Sequence, residues 1–280
     1  MIRRLLSRPS TAVGAAIVCA LFVLAILAPA IAPFDPTLVD AAGSFAQPSA
    51  AHWLGTDNLG RDILSRLLHG ARWSLSIVFV ATLLIMSAGV VIGVAAGYAG
   101  GIVDDVLMRL ADTVLSVPSL LLGLAIVGTL GPGVRSLMIG IASIWWVGHA
   151  RIIRGLVLAH RERGFVEAAR ALGARDARII ASHVLPGILP AVVVLATLEM
   201  GELVLAISGF SFLGLGAQPP TPEWGAMLND ARNFFFTAPQ LMVYPGAAIT
   251  LTVLGFNLVG DGLRDALDRT ESQRSLRVIP

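Results

Sequence analysis

Three side chains able to carry or share a proton stand where the sequence is otherwise apolar: His149, Glu199 and Glu202. Glu199 and Glu202 are three residues apart, so on a helix they fall on one face. An ionised acid facing lipid costs about 2.5–3.5 kcal/mol at mid-helix, so the pair is expected to face a polar path or a partner chain. Two readings stay open. The acids form a vestibule that favours cationic cargo, or they meet polar groups of a second membrane chain and hold the two together. His149 is the one histidine inside an apolar run; it either joins the acids or is a core histidine. Hydrolytic chemistry finds no support, because neither an HExxH zinc motif nor a GxSxG nucleophile turn occurs. All 20 basic residues are arginine, which removes the lysine that a phosphate-binding P-loop requires. The single cysteine, Cys19, excludes a disulfide framework and a cysteine metal site.

The elements that must position these residues follow from composition. With 56% apolar residues, 14% charged residues and a mean hydropathy of +0.80, the chain is of the membrane class. Uncharged runs at 9–34, 73–103, 113–134 and 136–150, with later apolar stretches at 186–207 and 243–260, predict six transmembrane helices in an all-α polytopic fold. Ala30-Ile31-Ala32 looks like a signal cleavage site, but the first run is longer than the 7–15 residues typical of a signal peptide core and reads as a retained span. Pro118 marks a kink or first turn in the third run. Arg151 and Arg154 are expected to snorkel to the interface and extend the fourth span to about residue 158. The division expected is 1–70 for a first span with an external loop, and 71–280 for the main transmembrane domain.

Charge concentrates between the fourth and fifth spans, at 161–186. Arg163, Glu167 and Arg170 lie at helical spacing on one face, and Phe165, Ala169 and Leu172 make an apolar stripe. Gly173 can end that helix in a left-handed cap, and Asp176 suits the start of a second short helix. Pro186 then begins the fifth span. Elsewhere, Asp57 and Arg61 are four apart in a Gly-rich external loop and read as a self-paired turn.

The string Glu167-Ala168-Ala169, then Gly173, then Leu185-Pro186 resembles the EAA loop of permease subunits of binding-protein-dependent ABC importers. Three further stretches resemble the second permease of dipeptide, oligopeptide and nickel importers. These are His52 to Asp62, the run Ser211-Phe212-Leu213-Gly214-Leu215-Gly216 with Pro219 to Gly225, and Asn257 to Asp265. The resemblance implies a type I importer permease without a catalytic or metal site of its own, requiring no cofactor. Residues 167–169, 173, 185 and 186 would couple it to a separate ATPase. It further implies a heterodimer with a second permease, two ATP-binding subunits, an external substrate-binding protein, and a bacterial inner-membrane location without nucleic-acid partners. Many peptide-type relatives carry a glutamate where this chain has Ile207, and the acids at 199 and 202 lean towards the nickel branch. A self-sufficient secondary transporter of a cationic solute is the rival, but it has no use for an ATPase dock.

Charge orients the spans. With both ends inside, fifteen arginines fall on the cytoplasmic side and five outside, as the positive-inside rule requires.

Overall fold

The computed structural model describes residues 8–276, with side chains as far as residue 267. Arg3, Arg4 and the tail from residue 277, which contribute to the arginine asymmetry, lie outside the described residues. The architecture is all-α. Among the described residues the only strand-like pairing is a single antiparallel bridge between Thr56 and Asp62.

Helix α1 (Pro9–Ile31) opens on a proline whose missing N–H costs nothing in a first turn. Helix α2 (Ile63–Ala99) is capped by Asp62, whose carboxylate accepts from the Ser65 N–H at 2.8 Å. It therefore starts ten residues before the uncharged run that predicted it and carries Arg66, His69 and Arg72 on its first turns. Gly100 and Gly101, at φ +67° and +53°, end α2 and turn the chain into α3 (Gly101–Leu115).

The third span departs from expectation. Instead of one helix over 113–134, α3 stops at Leu115 and α4 (Ser119–Leu130) leaves at 84° to it. Pro118 lacks an N–H and pushes Val117 out of the helical region, so the ladder cannot cross it. At 12 residues α4 is about 18 Å long, short of the ~30 Å hydrocarbon core. Among the described residues five helices are long and apolar enough to cross a membrane, or six if the bent α3–α4 pair is one broken span.

Helix α5 (Val134–Arg161) packs along α2 in the most extensive helix contact of the fold. Gly89, Gly93 and Gly97, one helical turn apart, make this possible. A Cβ on Gly93 would stand 2.6 Å from the Ala150 carbonyl oxygen, and one on Gly97 2.9 Å from Val157 Cβ. The helix continues through Arg161, past the expected end near residue 158, and Arg151 and Arg154 find partners within the chain. Arg154 holds Asp104 of α3 through two contacts of 2.5 Å, and Arg151 reaches Asp112.

Helices α6 (Gly164–Ala171) and α7 (Asp176–Ile179) follow, then a π-helical turn (Ile180–Val184) and α8 (Leu185–Phe212). The predicted second short helix exists but is not separate: Asp176–Phe212 runs as one 37-residue helix. Pro186 sits at the α8 start without breaking it. Helix α9 (Trp224–Ala231) and α10 (Gln240–Leu276) complete the chain, with α10 packed on α8 and α1.

Candidate translocation pathway and coupling surface

The close approach of α2 and α5 fixes His149, whose Cβ would lie 3.0 Å from a Cβ on Gly89. Its Nδ1 meets the Trp145 carbonyl at 3.1 Å and its Nε2 meets Glu199 Oε2 at 3.0 Å. A carbonyl only accepts, so Nδ1 carries a hydrogen, and the second contact needs another proton between Nε2 and Oε2. The pair is an imidazolium with a carboxylate, or a neutral imidazole with a carboxylic acid; either way its net charge is zero. Glu199 is 5% exposed, and its Oε1 has no hydrogen-bond partner among the described residues. Glu202 lies one turn along on the exposed surface. The two acids therefore differ in setting: one is buried and shared with histidine, the other is open. Of the two readings of His149, joining the acids or a core histidine, the contact with Glu199 fits the first.

At the other end of α8, α6 stands between α5 and α7. Gly173, at φ +80°, closes α6 with the Ala174 N–H donating to the Ala169 carbonyl at 3.1 Å. The buried side of α6 is Val166, packed among Ile153, Val157, Ile179 and Val184. The predicted stripe is rotated from this. Leu172 is 89% exposed and Phe165 48% exposed, with the Phe165 ring edge-on to His183. Glu167 and Ala168 are exposed, Ala169 and Leu185 half-buried, and Pro186 exposed. Glu167 makes no ion pair with Arg163 or Arg170 among the described residues. The α6–α7 unit is tied to α2 instead. Tyr98 donates to Asp176 at 2.7 Å, and the Arg161 guanidinium donates to the Gly97 and Tyr98 carbonyls at 3.0 and 3.1 Å.

The external loop carries a second buried network. Arg61 pairs with Asp57 at 2.7 Å, as the i, i+4 spacing predicts, but both Arg61 and Arg66 also reach Asp230 of α9, at 3.2 and 3.3 Å. Asp230 is 169 residues from Arg61, beyond any local spacing rule. Glu223, fully buried, caps α9 by accepting from the Gly225 and Ala226 N–H groups at 2.9 Å and from Ser74 Oγ at 3.2 Å. Burial pushes its carboxyl up, and the N–H donors draw it part of the way back.

A family model for the binding-protein-dependent transport system inner membrane component matches residues 89–273. The chain belongs to that family. This permease also matches the N-terminal TM domain of oligopeptide transport permease C over residues 1–49. It is 44% identical over 262 residues to the nickel transport system permease protein NikC of Escherichia coli K12, covering 94% of this chain and 95% of the relative. The dipeptide transport system permease protein DppC of Alkalihalophilus pseudofirmus is 43% identical over 91% of this chain and 84% of its own. The glutathione transport system permease protein GsiD of Pectobacterium atrosepticum is 45% identical over 79% of this chain and 73% of its own. The permease chain of a MetNI methionine ABC transporter in an inward-facing conformation superposes with a TM-score of 0.55 at 20% identity, covering 72% of this chain and 97% of that one, which supports the shared fold. The permease is thus a polytopic inner-membrane subunit of an ATP-driven importer, a class that works with ATP-binding and substrate-binding partners.

Proposed function

We propose that this permease forms half of an import pathway with a second, different permease, and that α6 is the surface through which a separate ATP-binding subunit drives it. The observation that carries the reading is the mismatch on α6: Val166 anchors the helix while Leu172 and Phe165 are left open to a partner. Exposed apolar side chains beside exposed charges suit a protein groove better than water. The absence of lysine supports ATP hydrolysis on other chains, and the arginine asymmetry supports cytoplasmic ends. Residues 1–70 serve as a first span with its outer loop, and 71–280 as the conducting domain.

The cargo is cationic in this reading: nickel, a metal chelate, or a peptide through its amino terminus. Relatives named for nickel and dipeptide transport fall within that range, whereas glutathione, an anion overall, shares with it only an ammonium group. Glu202 offers an open carboxyl group, and the His149–Glu199 pair beside it offers an acceptor, Oε1, that nothing among the described residues satisfies. The test combines Glu199→Gln with Glu202→Gln and measures uptake and complex yield together. Lost uptake in an intact four-subunit membrane complex is the expected result. Unchanged uptake of a charged cargo, or a complex that falls apart, overturns the pathway role.

A further inference from the structure

A groove of about 570 Å³ runs between α1 and α2, within the roughly 300–1,000 Å³ range of small-molecule sites. Its walls are Phe22 and Ile26 of α1 and Phe79 and Val80 of α2; Ile26 is 73% exposed, so the groove opens sideways. The two helices are antiparallel, as the Phe34 N–H donating to Ser65 Oγ at 3.0 Å requires. Pro29 therefore lies towards Arg72 and Phe22 towards Val80. One end of the groove is polar and the other wholly apolar.

The polar end holds the observation that selects an occupant. Arg61 and Arg66, further up the same stretch, are neutralised by Asp57 and Asp230, whereas Arg72 is exposed and has no carboxylate partner among the described residues. Helix α2 is 37 residues and about 55 Å long against a ~30 Å hydrocarbon core, so its first turns stand outside the core. Trp73, 45% exposed beside Arg72, marks the headgroup level. One turn deeper, about 6 Å along the helix, Ser76 turns an exposed hydroxyl into the same groove without a partner among the described residues.

We propose that this groove binds one anionic phospholipid, with its phosphate on the Arg72 guanidinium, a glycerol ester carbonyl accepting from Ser76, and an acyl chain along Phe22, Ile26, Phe79 and Val80. The order of groups down the groove, cation, hydroxyl, then hydrocarbon, is the order of phosphate, ester and chain down a lipid. A guanidinium fits a phosphate bidentately, and a choline headgroup brings a cation towards Arg72 that a phosphatidylglycerol headgroup does not. A partner's transmembrane helix would fill the apolar walls but leave Arg72 unpaired at their end.

The assembled importer is reconstituted in nanodiscs of equal phosphatidylglycerol and phosphatidylcholine, and the lipids retained on extraction are counted by native mass spectrometry. Wild type is expected to keep phosphatidylglycerol about fivefold over phosphatidylcholine, the factor that corresponds to ~1 kcal/mol per arginine at a membrane surface. Arg72→Gln is expected to keep a lipid but lose the preference, Arg72→Lys to retain most of it, and Ile26→Trp to lose the lipid altogether. Inorganic phosphate should compete for nothing, since the acyl chain supplies the seat. Equal retention of both lipids by wild type, an undiminished preference in Arg72→Gln, or a photo-crosslinker at position 26 that captures another protein subunit instead of lipid overturns the proposal.

Discussion

Replacing Gly93 with alanine adds one methyl group to the tightest part of the α2–α5 contact. The new Cβ would stand 2.6 Å from the Ala150 carbonyl oxygen and 2.9 Å from Ile153 Cβ. Since ordinary carbon–oxygen contact begins near ~3.3 Å, α5 must retreat by roughly 0.7 Å on that face. Overpacking of this kind costs about 1–3 kcal/mol, lowering the folded-to-unfolded ratio by about one to two powers of ten. The neighbouring backbone oxygen cannot swing aside as a flexible side chain would. Gly155, on α5 itself, has nothing within 4 Å of its would-be Cβ and supplies the control. Gly155→Ala should be neutral or stabilise by about 0.4–1 kcal/mol through the unfolded chain. Both variants are purified in the same detergent and unfolded thermally, following tryptophan fluorescence. Gly93→Ala is expected to unfold at lower temperature than wild type and Gly155→Ala at the same or higher temperature. If the two alanines behave alike, helix proximity is not what these glycines are for.

Leu172→Arg, at a side chain exposed to water in this chain, should leave stability within about 0.5 kcal/mol while abolishing uptake and co-purification of the ATP-binding subunit. Glu223→Ala strips three donors of their acceptor in a fully buried site and should lower stability by a few kcal/mol, about 1–3 for each group left unsatisfied, read as a fall in unfolding temperature. Because burial raises the Glu223 carboxyl in the folded state, the native protein binds more protons than the unfolded chain between the two pKa values. The wild type should therefore gain stability relative to Glu223→Gln as pH falls through the folded value, and level off below the unfolded one. Arg61→Met leaves Asp57 buried with Arg66 3.5 Å away as its remaining cation, and should lower stability by less than the ~3–5 kcal/mol of an uncompensated buried charge, read as a fall in unfolding temperature.

The spans were legible because a membrane helix must keep its uncharged run, and length alone then separates helix from turn. Gly173 and the Asp57–Arg61 pair were legible because both obey local rules that need no tertiary partner. What stayed hidden depends on chain brought from far away. Arg151 and Arg154 read as lipid-interface arginines until α3 presents Asp112 and Asp104 to them. Asp230 looks like an ordinary loop acid until α9 folds back over Arg61 and Arg66. The α6 stripe was legible, but helical spacing could not say that Val166 anchors the helix to the bundle while Phe165 and Leu172 are left open. The Gly89, Gly93 and Gly97 series was present in the sequence, four residues apart, and its spacing was the available signal for the most extensive helix contact in the molecule.

The π-helical turn at Ile180–Val184 sets the phase between two working parts of the chain. Helix Asp176–Phe212 has no loop in it, so the azimuth at which α7 leaves the bundle and the azimuth at which Glu199 meets His149 are locked to one another. A π turn holds an extra residue in the ladder, and each residue of an α-helix advances the chain by about 100° and 1.5 Å. One residue more than the π turn already absorbs would have to be wound as regular helix, swinging the α6–α7 unit about 100° out of step with the acids above it. This stretch consequently behaves as a gear tooth: the number of residues in it sets the phase between the two parts that it joins.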